Sequence, residues 1–112
     1  MFIKSKKETW NVRICRSLWS QARGWIFRLL SKEDGLLFVL KKERCMGLHT
    51  FFCFLPLDIA YLNKEKKVLK LYKHVLPFTW YIPGVPAHYI LEVKGMQEVK
   101  VGDVVYWNEK NI

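Results

Sequence analysis

Cysteine is scarce in this sequence, and its spacing argues against a disulfide framework and against a zinc site. The three cysteines are Cys15, Cys45 and Cys53, and no two of them form a Cys-x-x-Cys pair. Disulfide-stapled secreted domains and zinc sites both depend on paired, regularly spaced cysteines. We therefore expect no disulfide framework, no metal site and no cofactor. Free thiols of this kind suit a cytoplasmic protein.

Long apolar runs are also missing. No stretch reaches the about eighteen apolar residues that a membrane span needs, and the basic N-terminus lacks the apolar segment of a signal peptide. The sequence thus predicts a soluble, cytoplasmic protein with no membrane contact.

Acidic residues are outnumbered by basic ones, 10 against 19, which gives a net charge of +9. Such an excess favours polyanions through counterion release and long-range attraction. The basic residues, however, stand in short runs at 4–7, 41–44 and 64–67, as solvated turns commonly do. Nucleic-acid binding is therefore expected to be weak and salt-sensitive.

What the chain does contain is apolar and aromatic surface. Hydrophobic residues make up 51% and aromatic residues 15% of 112 residues, enough for one core. We predict a flexible basic arm over residues 1–9, which could also lead into an edge strand, followed by a single β domain over 10–112. The protein is expected to be a monomer.

The hydrophobic pattern predicts short strands with one helix. Period-two alternation and short apolar runs predict strands over residues 10–15, 36–40, 57–62, 67–75, 88–93 and 103–107. A polar turn at 63–66 makes 57–62 and 67–75 a hairpin, with Leu69, Leu71 and Lys73 on one face. Ser17 and the apolar spacing after it predict a short helix near residues 17–25. Lys41–Arg44 is expected to be a charged loop. The predicted fold is mainly β, a single antiparallel β-sandwich or barrel.

Six short motifs, in order, resemble the domain of unknown function 192 family across residues 12–106. They are Arg23-Gly-Trp-Ile-Phe-Arg28, Gly35-Leu-Leu-Phe38, His49-Thr-Phe51, Pro56-Leu-Asp-Ile59, Tyr89-Ile-Leu-Glu92 and Val101-Gly-Asp-Val104. The resemblance implies a small jelly-roll-like β-sandwich of archaea and bacteria, with no established activity, cofactor or catalytic residue.

Two departures from that family pattern bear on any site. Cys53 and Phe54 stand where archaeal members commonly have Met-Arg, so a basic group often found beside the His-Thr pair is missing. Trp25 and Ile26 replace a Leu-Met pair. The resemblance to the family therefore does not imply an anion-binding pocket in this chain.

Residues 48–62 combine the most apolar surface with the fewest polar groups. His49, Thr50 and Asp58 need hydrogen-bond partners if they are buried there. The candidate ligand-binding residues are Arg23, Arg28, His49, Thr50, Asp58 and Trp80. Three interpretations stay open for the cluster: a closed structural network, a small-ligand pocket, or an acid–base pair of His49 and Asp58 that lacks a nucleophile. Arg23 or Arg28 could pair with Asp58 or Glu92, or face an anionic ligand.

The leading functional hypothesis is a non-enzymatic module that binds an unknown small molecule, protein or peptide. Its groove would be edged by Phe78, Trp80 and Tyr81, because ligand pockets combine apolar walls with a few polar groups. The alternative is a nucleic-acid-associated basic domain that uses exposed aromatic residues for stacking. An enzyme that uses His49 and Asp58 ranks third.

Overall fold

The structure, a computed structural model, describes residues 1–15, 34–45, 56–76 and 82–108. Six strands lie in these ranges. They are β1 (Phe2–Lys4), β2 (Thr9–Cys15), β3 (Gly35–Cys45), β4 (Leu57–Leu62), β5 (Val68–Val75) and β6 (Pro86–Val93). The strands form one sheet in the order β1-β2-β3-β6-β4-β5. Neighbouring strands are antiparallel except β2 and β3, which are parallel. The sheet is mixed, and its six strands do not close into a barrel.

Both faces of the central strands are apolar, because successive side chains of a strand point to opposite sides. On β3, Leu37 belongs to one hydrophobic cluster and the adjacent Leu36 and Phe38 belong to another. The first cluster also includes side chains that follow β6 in the chain. They are Met96, Val99, Val105 and Trp107.

The prediction of a mainly β fold is confirmed, and most of the strands lie where the pattern placed them. The hairpin of β4 and β5 is present, with a tight turn in which Asn63 Oδ1 accepts N–H groups from Glu65 and Lys67, both at 3.0 Å. The predicted helix near residues 17–25 lies outside the described residues. No helix in the described ranges is long and apolar enough to cross a membrane.

The N-terminal residues differ from the flexible arm that was expected. Phe2–Lys4 pairs with β2, and the Ile3 side chain is fully buried in the first cluster. Met1 also contributes, because its terminal ammonium donates to the Val12 carbonyl at 3.1 Å. The segment is therefore an edge strand, the second of the two alternatives, and not a flexible arm.

Two further segments differ from the prediction. Lys41–Arg44 was expected to be a loop, but β3 runs through it to Cys45. The pairing of β3 with β6 shifts between Val39 and Arg44, so the charged residues lie in an irregular part of the strand and Lys41 and Lys42 are exposed. Residues 103–107 form isolated bridges at Val104 and Tyr106 instead of a continuous strand.

The segment 104–106 joins the two edges of the sheet. Tyr106 pairs with Lys4 of edge strand β1, and each residue donates its N–H to the carbonyl of the other at 2.8 Å. Val104 pairs with Lys67, which immediately precedes edge strand β5. Unpaired edge strands are templates for aggregation. This segment satisfies backbone groups at both edges.

Gly35 marks a close approach between β3 and β6. A Cβ atom at this position would overlap the Glu92 carbonyl oxygen and would lie 2.8 Å from Val93 Cα. Both obstacles are backbone atoms of the paired strand, so a larger residue could not be accommodated by rotating a side chain. Glycine here lets the start of β3 align with β6.

Candidate functional site

One of the six predicted site residues lies within the described ranges. Asp58 is on β4, whereas Arg23, Arg28, His49, Thr50 and Trp80 lie outside the described residues, as do the groove residues Phe78 and Tyr81. The geometry of Asp58 can therefore be stated, and the wider constellation remains a prediction from the sequence.

Asp58 is buried, and both of its carboxylate oxygens are occupied. Oδ1 accepts the N–H of His74 at 2.6 Å, and Oδ2 accepts the N–H of Met96 at 2.7 Å. The ammonium group of Lys73 lies 2.9 Å from Oδ2. The aspartate thus ties β4 to β5 and to the segment after β6. These contacts fit the structural-network interpretation of this residue.

A β-bulge explains how the His74 amide reaches this carboxylate. Leu57 pairs with Val75 and Ile59 pairs with Tyr72, so Lys73 and His74 together oppose Asp58 alone. His74 has φ of 51°, in the left-handed region that bulges commonly use. A second register shift, between Tyr61 and Leu62, lies opposite Leu69. The bulges break the even alternation along β5 that the sequence had suggested.

The ionisation of Asp58 reflects opposing influences. Burial on its own would raise the pKa of the carboxyl, but the N–H groups of His74 and Met96 and the charge of Lys73 act against it. The net result is a pKa below the ordinary value of 3.8. A group that stays ionised and fully bonded at neutral pH is poorly suited to transferring protons.

Glu92 is a second buried acid, and it was not among the predicted ligand-binding residues. Its side chain is 3% exposed, and it stands opposite Leu36 on one side and Ile59 on the other. The available signal was a single glutamate inside the apolar run 89–93. Burying a carboxylate is costly unless it is paired, so this position marks a second polar contact inside the sheet.

Metal ligands do not cluster in the part of the chain that the structure describes. No group of three His, Cys, Asp or Glu side chains within 1–15, 34–45, 56–76 and 82–108 is arranged to hold an ion.

A second candidate site is an exposed surface over β1 and the segment 104–106. Ile3 and Val105 are buried, so the residues on either side of each point outward. Phe2 is 61% exposed, Tyr106 58% and Val104 37%. Lys4, opposite Tyr106, and Lys67, opposite Val104, are exposed too. We name the set Phe2, Lys4, Lys67, Val104 and Tyr106 the outer strip.

The chain that leads to the segment 104–106 is held by the side chains of Glu8 and Trp10. Glu8 accepts N–H groups from Gln97 at 3.0 Å and Glu98 at 2.7 Å, which fixes the chain that leads towards residue 104. The Trp10 indole donates to the Gly95 carbonyl at 2.9 Å. The exposed side chains of the outer strip are therefore carried on an ordered frame.

Comparison with known proteins gives the family of the chain. The model of the domain of unknown function 192 family, described as Uncharacterized ACR, matches residues 1–107. A UPF0127 protein from Pyrococcus furiosus is 32% identical over 111 residues, covering 94% of this chain and 93% of the relative. A UPF0127 protein from Pyrococcus abyssi is 29% identical over 110 residues, covering 93% of this chain and 92% of the relative.

Two solved structures share the fold. A protein of unknown function from Novosphingobium aromaticivorans has a TM-score of 0.80 at 23% identity, covering 95% of this chain and 82% of its own. A protein from Sinorhizobium meliloti, named as a candidate transcription regulator, has a TM-score of 0.81 at 17% identity. The match covers 94% of this chain and 89% of that protein. At these identities the likeness concerns the fold alone. On the family match and the Pyrococcus relatives, the chain belongs to the domain of unknown function 192 family, whose members are uncharacterised.

Proposed function

We propose that this chain is a non-enzymatic binding module that holds a protein or peptide partner against the outer strip. The observation that carries the proposal is the exposure of Phe2, Val104 and Tyr106 on adjacent, hydrogen-bonded segments. Aromatic residues are enriched at the centres of protein interfaces, where a few of them supply most of the binding energy. An ordered frame favours binding because little conformational freedom is lost on contact.

The small-ligand version of the predicted module has less support in the described residues. A pocket floored by Asp58 would offer a ligand a carboxylate whose two oxygens already accept N–H groups. Displacing those donors would leave them unsatisfied in a buried position, which costs about 1–3 kcal/mol each. A protein or peptide on the outer strip needs no such rearrangement.

A selection from a random-peptide library, followed by affinity measurements on the recovered peptides, tests the proposal. Peptides selected on the parent protein should lose roughly tenfold or more in affinity for Tyr106→Ala, since truncating a central aromatic costs about 2 kcal/mol. Leu76→Ala is the matched control, because Leu76 is also 58% exposed but lies beyond the end of β5. Equal affinity for Tyr106→Ala and Leu76→Ala would refute the proposal.

Nucleic acid is the second candidate partner of the same surface. Lys4 stands directly opposite Tyr106, and a lysine beside an exposed aromatic side chain can contact phosphate while the ring stacks on a base. We expect weak binding of oligonucleotides that disappears between low and physiological salt. Binding that persists at physiological salt and depends on Tyr106 would place nucleic acid first.

A further inference from the structure

The charges around the outer strip lead to the chemistry of its partner. Lys4 and Lys67 are bridged to opposite sides of the segment 104–106, so two exposed cations border the apolar side chains of Val104 and Tyr106. Resting on the proposed function, we infer that the partner is an acidic segment of a protein that carries an aromatic or aliphatic anchor residue.

Two nearby carboxylates, those of Glu8 and Asp103, already accept backbone N–H groups of the protein itself. Glu8 accepts the N–H groups of Gln97 and Glu98. Asp103, next to Val104, accepts the N–H of Lys100 at 2.9 Å. Glu8 and Asp103 thus act as hydrogen-bond acceptors for the backbone, while Lys4 and Lys67 are exposed and can attract carboxylates supplied by a partner.

The apolar part of the surface favours a peptide over a nucleic acid. Val104 is 37% exposed, and Val101 at the tip of the adjacent turn is 61% exposed. Aliphatic side chains of this kind pack well against other apolar side chains and offer nothing to phosphate groups.

The dimensions of the outer strip suit an extended segment. Phe2 and Tyr106 are diagonal neighbours across the Lys4–Tyr106 bridge, and such pairs lie about 7–8 Å apart. Alternate side chains of an extended peptide are separated by about 6–7 Å on one face. One anchor residue can therefore contact a ring while a carboxylate two residues away reaches a lysine.

The test uses three labelled peptides of equal length that share the same phenylalanine anchors and differ only in having Glu, Gln or Lys at the other positions. Fluorescence anisotropy is measured at low and physiological salt, with oligo-dT as a fourth probe. We expect the Glu peptide to bind roughly tenfold more tightly than the Gln peptide, from two surface ion pairs, and the Lys peptide and oligo-dT to bind more weakly than the Glu peptide.

Two double variants with the same net charge show whether position matters. Lys4→Glu with Lys67→Glu should weaken the Glu peptide roughly tenfold. Lys41→Glu with Lys42→Glu alters exposed lysines of β3 and should change affinity less than about twofold at physiological salt, because separated charges are screened beyond about 8 Å. Equal losses in both double variants would overturn the inference.

The remaining outcomes separate this inference from the proposed function. If the three peptides bind equally well and all depend on Tyr106, the binding module stands and the acidic partner is refuted. Oligo-dT binding more tightly than the Glu peptide would also refute the acidic partner, and it would assign the surface to nucleic acid. If no peptide binds in a manner that depends on Tyr106, the inference and the proposed function both fail.

Discussion

The Asp58 site and the outer strip are opposite in character, although both involve the chain after β6. At Asp58 a charged group is buried and bonded to His74, Met96 and Lys73. In the outer strip, Phe2 and Tyr106 are apolar groups that lie in solvent. The Asp58 site buries a carboxylate, which would be unfavourable without hydrogen-bond partners. The outer strip leaves apolar surface exposed to solvent.

This difference predicts which measurement the loss of each side chain should affect. A buried polar group that is fully bonded holds its own chain together, so its loss should be felt in folding. Exposed apolar residues on an ordered frame contribute little to folding, so their loss should be felt only by a partner. Stability measurements can therefore separate the two sites without knowledge of the ligand.

The largest effect is expected from Asp58→Asn. An amide group offers one acceptor oxygen in place of two, so one of the N–H groups of His74 and Met96 would face an NH₂ group, and the attraction of Lys73 would be lost. We expect a loss of about 2 kcal/mol, or a melting temperature about 8 °C lower for a domain of this size. Thermal melts followed by circular dichroism give the measurement.

Asp103→Asn is the matched control for that substitution. Asp103 also accepts a backbone N–H, from Lys100, but this hydrogen bond is exposed, and water can replace it. The control should lose less than about 1 kcal/mol. Equal losses for the two variants would contradict the structural role of Asp58.

Lowering the pH should gradually remove the stabilising contribution of the Asp58 carboxylate. Because the pKa of Asp58 is lowered in the folded protein, its stabilising effect is complete above the ordinary value of 3.8 and is lost as the pH falls through the folded pKa. The difference in unfolding free energy between the parent and Asp58→Asn should therefore shrink below that value. Urea denaturation of both proteins at neutral and acidic pH checks this, and a difference that is independent of pH would contradict it.

A smaller effect is expected at His74, where φ is 51°. β-Branched residues are strongly disfavoured in the left-handed region, while asparagine tolerates it. His74→Val should be about 1 kcal/mol less stable than His74→Asn, and His74→Asn should resemble the parent. Urea denaturation of the two variants provides the comparison. Equal stabilities would mean that the bulge relaxes when the side chain changes.

The smallest effect on stability is expected in the outer strip. Phe2→Ala and Tyr106→Ala should each change the unfolding free energy by about 0.5 kcal/mol or less, because both side chains are more than half exposed. Ile3→Ala, between Phe2 and Lys4, is the control and should cost roughly 2–5 kcal/mol, because Ile3 is fully buried. Chemical denaturation measures all three, and a large loss in Tyr106→Ala would make the exposed ring structural.

Local sequence patterns predicted the hairpin of β4 and β5 because everything it needs lies within nineteen consecutive residues, 57–75. The register shifts of β5 were not predictable in this way. The shift at His74 lies opposite Asp58, a carboxylate that also accepts the N–H of Met96, 38 residues away. The continuation of β3 through Lys41–Arg44 was missed for a related reason, since an exposed charged strand resembles a loop in composition.

The two candidate sites differ in the same respect. Asp58 was found from the sequence because a carboxylate in an apolar run is conspicuous. The outer strip was not found, because Phe2 and Tyr106 are at opposite ends of the chain and become neighbours only through the Lys4–Tyr106 bridge. Single exposed aromatic residues are ordinary, and only their juxtaposition suggests a contact surface.

The bridging segment 104–106 also has a consequence for biosynthesis. It follows all six strands in the chain, so its hydrogen bonds to the Lys4 backbone and to the Lys66 carbonyl cannot form, during translation, until the ribosome has released it. Until then both edge strands of the nascent sheet are open to pairing with other chains, which is the period when multistranded proteins are most prone to aggregate. The order of synthesis therefore makes the pairing of this segment with Lys4 and Lys67 the last step in completing the two edges.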